Sequence, residues 1–134
     1  MFKRFELCTA KNEMIKLNEK ILAVVEESKI QNGNCTVFTP HTTAGLIITS
    51  FWDPLGLEDF QDEMSRLIPT KVDFKHQHDT PTDAAGHIKS AITGVSQQLI
   101  IYEGRLMLGH SQGIYFAEFD GPRKIQFFVN IVGN

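Results

Sequence analysis

From Gln97 to Val132 the sequence is a succession of strand-like runs with no helical spacing between them. Gln97–Tyr102 and Arg105–Gly109 flank Glu103-Gly104, a pair suited to a tight hairpin. Gln112–Phe119 and Lys124–Val132 flank Asp120-Gly121-Pro122-Arg123, a turn sequence. Every second residue from Ile125 to Ile131 is apolar, and Phe128 and Val132 add apolar groups to the other face. A strand apolar on both faces is either central in its sheet or covered by a partner chain. Sheet formation therefore dominates the fold, and association of copies is compatible with it.

The rest of the chain supplies the covering layers. Lys3–Thr9 and Met14–Leu17 read as short strands around the turn Ala10-Lys11-Asn12-Glu13. Asn18 stands where a helix N-cap is expected, and Ile21, Leu22 and Val25 follow at helical spacing. Gly33 is placed to close that helix in a left-handed conformation. Cys35–Thr39 and Leu46–Phe51 read as strands. Asp53-Pro54 opens a second helix whose apolar stripe is Leu57, Phe60, Met64, Leu67 and Ile68, with Pro69 as its stop. Lys71–His76 reads as extended. Thr80-Pro81-Thr82-Asp83 caps a third helix, with the Asp83 carboxylate reaching back, and Gly94 ends it. About eight strands and three helices that do not alternate strictly give an α+β class, a mostly antiparallel sheet or sandwich. At 134 residues the chain forms one domain, 1–134.

Composition narrows the functional classes. A net charge of −3 lacks the basic footprint of a general nucleic-acid binder. No apolar run approaches the ~18 residues of a membrane span, and the first residues lack a secretory apolar core. Cys8 and Cys35 fit reduced thiols rather than a disulfide framework. The expected setting is the cytoplasm, with neither nucleic acid nor membrane as partner.

The residues able to carry chemistry cluster at structural breaks. His41 follows Pro40 at a strand end. His76 and His78 share one face of an extended segment. His87 lies four residues after Asp83, on the same side of the third helix. His110 ends a strand just before Ser111-Gln112-Gly113. His76, His78 and His87 have short spacing suited to a divalent metal, and His41 could join them from a neighbouring strand. The alternative is hydrogen-bonded surface histidines. His41-Thr42-Thr43-Ala44-Gly45 sets two hydroxyls beside a histidine, either to hold phosphate or carboxylate oxygens or to cap a turn. Asp83 caps the third helix, or that helix end meets an anionic ligand. Glu118 falls on the strand face of Ile114 and Phe116, where a carboxylate needs a partner, and Arg123 or Lys124 could provide it.

Taken together, these motifs resemble the YjbQ family. The resemblance rests on His41-Thr-Thr-Ala-Gly45, Asp53-Pro54, His78 and Asp83-Ala-Ala-Gly-His87-Ile-Lys. It continues through Gly104-Arg-Leu, Leu108-Gly109, Gln112-Gly113-Ile114 and Glu118-Phe-Asp-Gly-Pro-Arg123, so it spans nearly the whole chain in order. It implies an α+β fold in a homotrimer. It also implies a pocket of histidines and acids near a subunit boundary that holds a divalent metal, zinc or magnesium, and no organic cofactor. The implied activity is that of a secondary thiamine-phosphate synthase acting on small phosphorylated metabolites. Carried over, the catalytic set is His41, Thr42, Thr43, Glu118 and Arg123. The metal ligands are His41, His78 and His87, and Asp83 and Gln112 line the ligand site, with His110 expected to replace a family residue where the chain departs from the pattern. The chain departs from the family pattern at Thr49-Ser50, at Gly109-His110-Ser111-Gln112, and near Ala85, where a further histidine is common. A trimeric metal- or phosphometabolite-binding module without chemistry, or a metal-assisted hydrolase, would use the same constellation.

Overall fold

The computed structural model describes all residues, Met1–Asn134. Eight strands and three helices follow in the order β1 (Phe2–Thr9), β2 (Met14–Lys16), α1 (Asn18–Ser28), β3 (Gly33–Phe38), β4 (Ala44–Ser50), α2 (Pro54–Leu67), α3 (Pro81–Thr93), β5 (Ser96–Tyr102), β6 (Arg105–Leu106), β7 (Gln112–Glu118) and β8 (Arg123–Gly133). They form a five-stranded sheet ordered β1-β8-β3-β5-β6 and a three-stranded sheet ordered β2-β7-β4. All pairings are antiparallel. The α+β sandwich expected from the strand runs is the observed class.

The two sheets share one core. Ile125, Phe127, Val129 and Ile131 of β8 and Leu46, Ile114 and Phe116 of the smaller sheet belong to a single buried cluster, which α1 joins through Ile21, Val24 and Val25. β8 is central, flanked by β1 and β3, which accounts for its inward apolar row. Its other face carries Phe128, packed against Phe2 and Phe38. On that outer face Phe2, Phe38, Ile100, Tyr102 and Val132 remain exposed. α2 rests on the opposite side of the small sheet through Met64, against Ala117 and Phe119.

Several local expectations are revised. Asn18 is the first helical residue rather than the cap: its Oδ1 accepts the Ile114 N–H (2.7 Å) and its Nδ2 donates to the Gln112 carbonyl (3.3 Å). Tertiary bonds to β7 outcompete a local cap. Helix α1 ends on Lys29, which takes the left-handed conformation at φ 60°. Gly33 opens β3 instead, because any side chain there would run into the Val132 carbonyl. The stretch Lys71–His76 is irregular, and the strand expected over Arg105–Gly109 stops at Leu106. The second-helix cap holds, with Asp53 Oδ1 accepting the Leu55 N–H at 3.0 Å. The Glu103-Gly104 hairpin holds too, with φ values of 52° and 77°.

Gly33→Ala should lower unfolding stability by about 1–3 kcal/mol, because overpacking against backbone has no flexible neighbour to displace. The check is the urea midpoint, and a midpoint equal to wild type would contradict the packing argument.

Candidate metal centre

Helix α3 starts where Thr80 Oγ1 accepts the Asp83 N–H (3.1 Å), with Pro81 preset for the first turn. The cap fixes the rotation of the helix, and spacing of i,i+4 then puts the Asp83 and His87 side chains on one face. The Asp83 carboxylate does not reach back to the cap as expected. It is buried, and its Oδ2 lies 3.1 Å from His76 Nε2 and 3.2 Å from His87 Nε2. His76 comes from the irregular segment before the helix. The ligand atoms of His76, Asp83 and His87 all lie within 4.8 Å of one another.

One further bond defines the chemistry. His87 Nδ1 lies 2.9 Å from the Thr42 carbonyl oxygen, an acceptor only, so the ring carries its hydrogen on Nδ1. The Nε2 lone pair of a neutral His87 then faces a carboxylate oxygen, and two acceptors at this distance require a proton or a cation between them. An imidazole oriented by a carbonyl behind it is the usual outer-shell arrangement of a metal ligand. Two imidazoles and one carboxylate suit zinc, and three protein ligands leave a coordination position open. Of the two metals implied by the resemblance the donor set fits zinc, whereas magnesium takes oxygen ligands and does not suit two imidazoles.

His78 is exposed and stands outside this group; His76 takes the place expected for it. His41 is also outside. Its Nε2 accepts the Gln126 N–H at 2.9 Å, which occupies that nitrogen and leaves a hydrogen on Nδ1. Partial burial, and then the positive charge of Arg123, hold its pKa below the ordinary 6.5, while Glu118 opposes them. His41 is thus placed as a neutral donor rather than a metal ligand. His87 lines two clefts: one of about 780 Å³ that His76 also lines, and a second of about 430 Å³ that His41 and Thr42 line.

Glu118 is fully buried, at 0% exposure. Its Oε2 accepts from the Thr9 hydroxyl (2.7 Å) and its Oε1 from the Asp120 N–H (3.2 Å). Arg123 Nε stands 3.7 Å away, and Arg123 Nη2 pairs with Asp120 Oδ2 at 2.7 Å. Lys124, the other partner foreseen, pairs with Glu6 instead. Both Glu118 oxygens are committed, so it positions the turn rather than acting as a catalytic base. The Thr43 hydroxyl is buried with no hydrogen-bond partner, and the Thr42 side chain is exposed beside the second cleft. His110 and Gln112 are exposed and border neither cleft; Gln112 Oε1 closes its own turn on the Gly109 N–H (2.7 Å). Thr9 was missed by sequence reasoning, since nothing in an N-terminal strand signals a partner 109 positions away.

A two-sheet α+β sandwich with a histidine–carboxylate centre at the head of one helix defines the class. Residues 3–134 match the family model described as UPF0047 protein YjbQ-like. The chain belongs to that family. It is 40% identical to the UPF0047 protein MJ1081 of Methanocaldococcus jannaschii, over 100% of this chain and 96% of the relative. It is 37% identical to the UPF0047 protein YugU of Bacillus subtilis, over 99% and 100%. A crystal structure of a yjbq/upf0047 family protein from Clostridium acetobutylicum superposes with a TM-score of 0.91 at 38% identity, covering 97% of this chain and 99% of that one. A YbjQ-like protein from Sulfolobus solfataricus superposes with a TM-score of 0.94 at 26% identity, covering 100% and 97%. No helix is long and apolar enough to cross a membrane.

Two outcomes are expected of this region. Glu118→Gln should cost about 1–3 kcal/mol, because an amide NH₂ would face a donor where the carboxylate accepts; an unchanged melting temperature would contradict it. His41 has a sign-specific pH signature. Its folded pKa is lowered, so the unfolded chain binds the proton first as pH falls. Its contribution is complete above pH 6.5 and drains away as pH drops from 6.5 through the lower folded value. Between about pH 7 and pH 5 the wild-type Tm should fall more steeply than that of His41→Gln, whose amide oxygen can accept the same N–H without titrating. Parallel curves would acquit His41.

Proposed function

We propose that this protein is a metal-dependent enzyme acting on small phosphorylated metabolites, of secondary thiamine-phosphate synthase type. The observation that carries the reading is the convergence of the ligand atoms of His76, Asp83 and His87 within 4.8 Å, with the His87 Nε2 turned toward Asp83 by the Thr42 carbonyl behind the ring. When bound at these three residues, a zinc ion would supply Lewis-acid stabilisation of phosphate oxygens.

The reaction would join two halves at a methylene carbon. The thiazole nitrogen lone pair forms the new C–N bond as the C–O bond to pyrophosphate breaks, and pyrophosphate leaves with that electron pair. Such a step needs hydrogen-bond donors at the leaving group more than a base. The neutral His41 offers its Nδ1–H, whereas the Arg123 guanidinium is held in the turn by Asp120 and Glu118. Thr42 holds His87 through its carbonyl and lends its exposed hydroxyl to the second cleft. The commitment of both Glu118 oxygens suits this base-free chemistry. It equally favours a second reading, a binding module without turnover in which Glu118 and Arg123 are structural. The exposed apolar groups on the outer face of the larger sheet support association of copies in either case, for which the resemblance implies a homotrimer.

Zinc titration of the metal-free protein by calorimetry, paired with an assay of thiamine-phosphate formation from its two halves, separates these readings. His87→Ala and Asp83→Asn should each weaken zinc by more than about tenfold and abolish product, whereas His78→Ala should change neither. Zinc binding without product would favour the module. Unchanged zinc affinity in both variants would overturn the metal centre itself.

A further inference from the structure

Leu67 and Ile88 are large aliphatic side chains that remain 63% and 41% exposed. They lie with Ile68, Phe74 and Ala84 along the cleft of about 780 Å³ that His76 and His87 also line. That volume falls in the range of small-molecule sites, and apolar side chains gathered in a concave wall mark a binding surface rather than chance exposure. Much of the wall comes from the irregular segment between α2 and α3, which also supplies His76.

The charge at this cleft runs against that of the whole chain. Lys71 and Lys75 line it. The carboxylate Asp73 lines it too, its Oδ1 at 3.8 Å from Lys71 Nζ, a loose and exposed pairing worth little in water. Two further carboxylates stand close by but outside the lining: Asp83, which faces the two histidines, and Asp79, which borders an adjoining pocket with Lys71 and Phe74. Among the residues that line the cleft, two lysines stand against one carboxylate, an excess of positive charge in a protein of net charge −3. Lys71 Nζ stands 5.2 Å from the centroid of Phe74, so a cation and the aromatic ring of the cleft are presented together.

We infer that this cleft selects a flat, apolar-bodied anion. The body lies on Phe74 and the aliphatic wall, the acidic group is held by Lys71 and Lys75, and the far polar edge faces His76 and His87. Lys71, Phe74 and Lys75 are then specificity-determining residues for the site. The inference rests on the proposed function for its catalytic meaning, and on the cleft alone for binding. Phosphate, sulfonate and carboxylate share the recognised chemistry, so a hydrolysis-resistant sulfonate is a sound probe.

The test is calorimetry on the full chain, metal-free and zinc-loaded, with 1-naphthalenesulfonate, 1-naphthol and inorganic sulfate. 1-Naphthalenesulfonate should bind at least about tenfold more tightly than either fragment. The double variant Lys71→Ala/Lys75→Ala should bring it down to the level of 1-naphthol without weakening 1-naphthol, and Lys71→Arg/Lys75→Arg should restore it. Phe74→Ala should weaken both aromatic probes and leave sulfate unchanged. Equal affinity for sulfonate and naphthol, or an unaltered preference in the double alanine variant, would overturn the inference. Selectivity retained in a protein that binds no zinc would sink the metal reading alone. Zinc binding without selectivity would sink this inference alone.

Discussion

A carboxylate with no exposure to water sits at the joint between β7 and β8, and the geometry around it follows from its need for donors. Glu118 draws the Thr9 hydroxyl from β1 and the Asp120 N–H from its own turn, with the Arg123 guanidinium nearby. Removing such donors from a buried charge is far more costly than any exposed ion pair is worth. The turn is therefore held closely. Gly121 adopts φ 90°, and a side chain there would press on Glu118 and Thr9.

That joint positions the loop between β3 and β4. The Phe119 N–H, next to Glu118, donates to the Thr43 carbonyl (3.0 Å). At the start of β8, Gln126 gives its N–H to His41 and receives the Thr39 hydroxyl on its carbonyl. With its backbone fixed on both sides, the loop presents the Thr42 carbonyl to His87. Helix α3 is seated on the same loop and β4: Gly86 packs close to Thr43, and the Ser90 hydroxyl donates to the Ala44 carbonyl. A buried charge at one strand end thereby orients, through backbone bonds, an imidazole on a helix.

The legible part of this arrangement was local. Turn residues, caps and apolar periodicity located the hairpin at Glu103-Gly104, both Pro-led helices and the long C-terminal strands. Asp83 and His87 were paired by helical spacing alone. The misjudged points were those where a distant backbone competes with a local partner. Asn18 gave up capping for β7, Gly33 was kept for the approach of β8, and the Asp83 carboxylate left its cap for two histidines. His76 and His78 could not be separated by spacing, because alternation over two residues assigns them the same face. Only the fold shows that the irregular segment turns His76 toward α3 and His78 to solvent.

What the sequence determined by itself was the inventory and its short-range order: which stretches pair as strands, where helices begin, and which histidines and acids are available. Motif resemblance added the family, because several separated blocks agree in order along the chain. The tertiary structure decided which of those groups meet. It joined Thr9 to Glu118 and Thr42 to His87, and tied His41 to Gln126, apart from the cluster of His76, Asp83 and His87. The physical reason is that hydrogen-bond partners are allotted by competition among all groups brought close, and a linear pattern lists only the near ones.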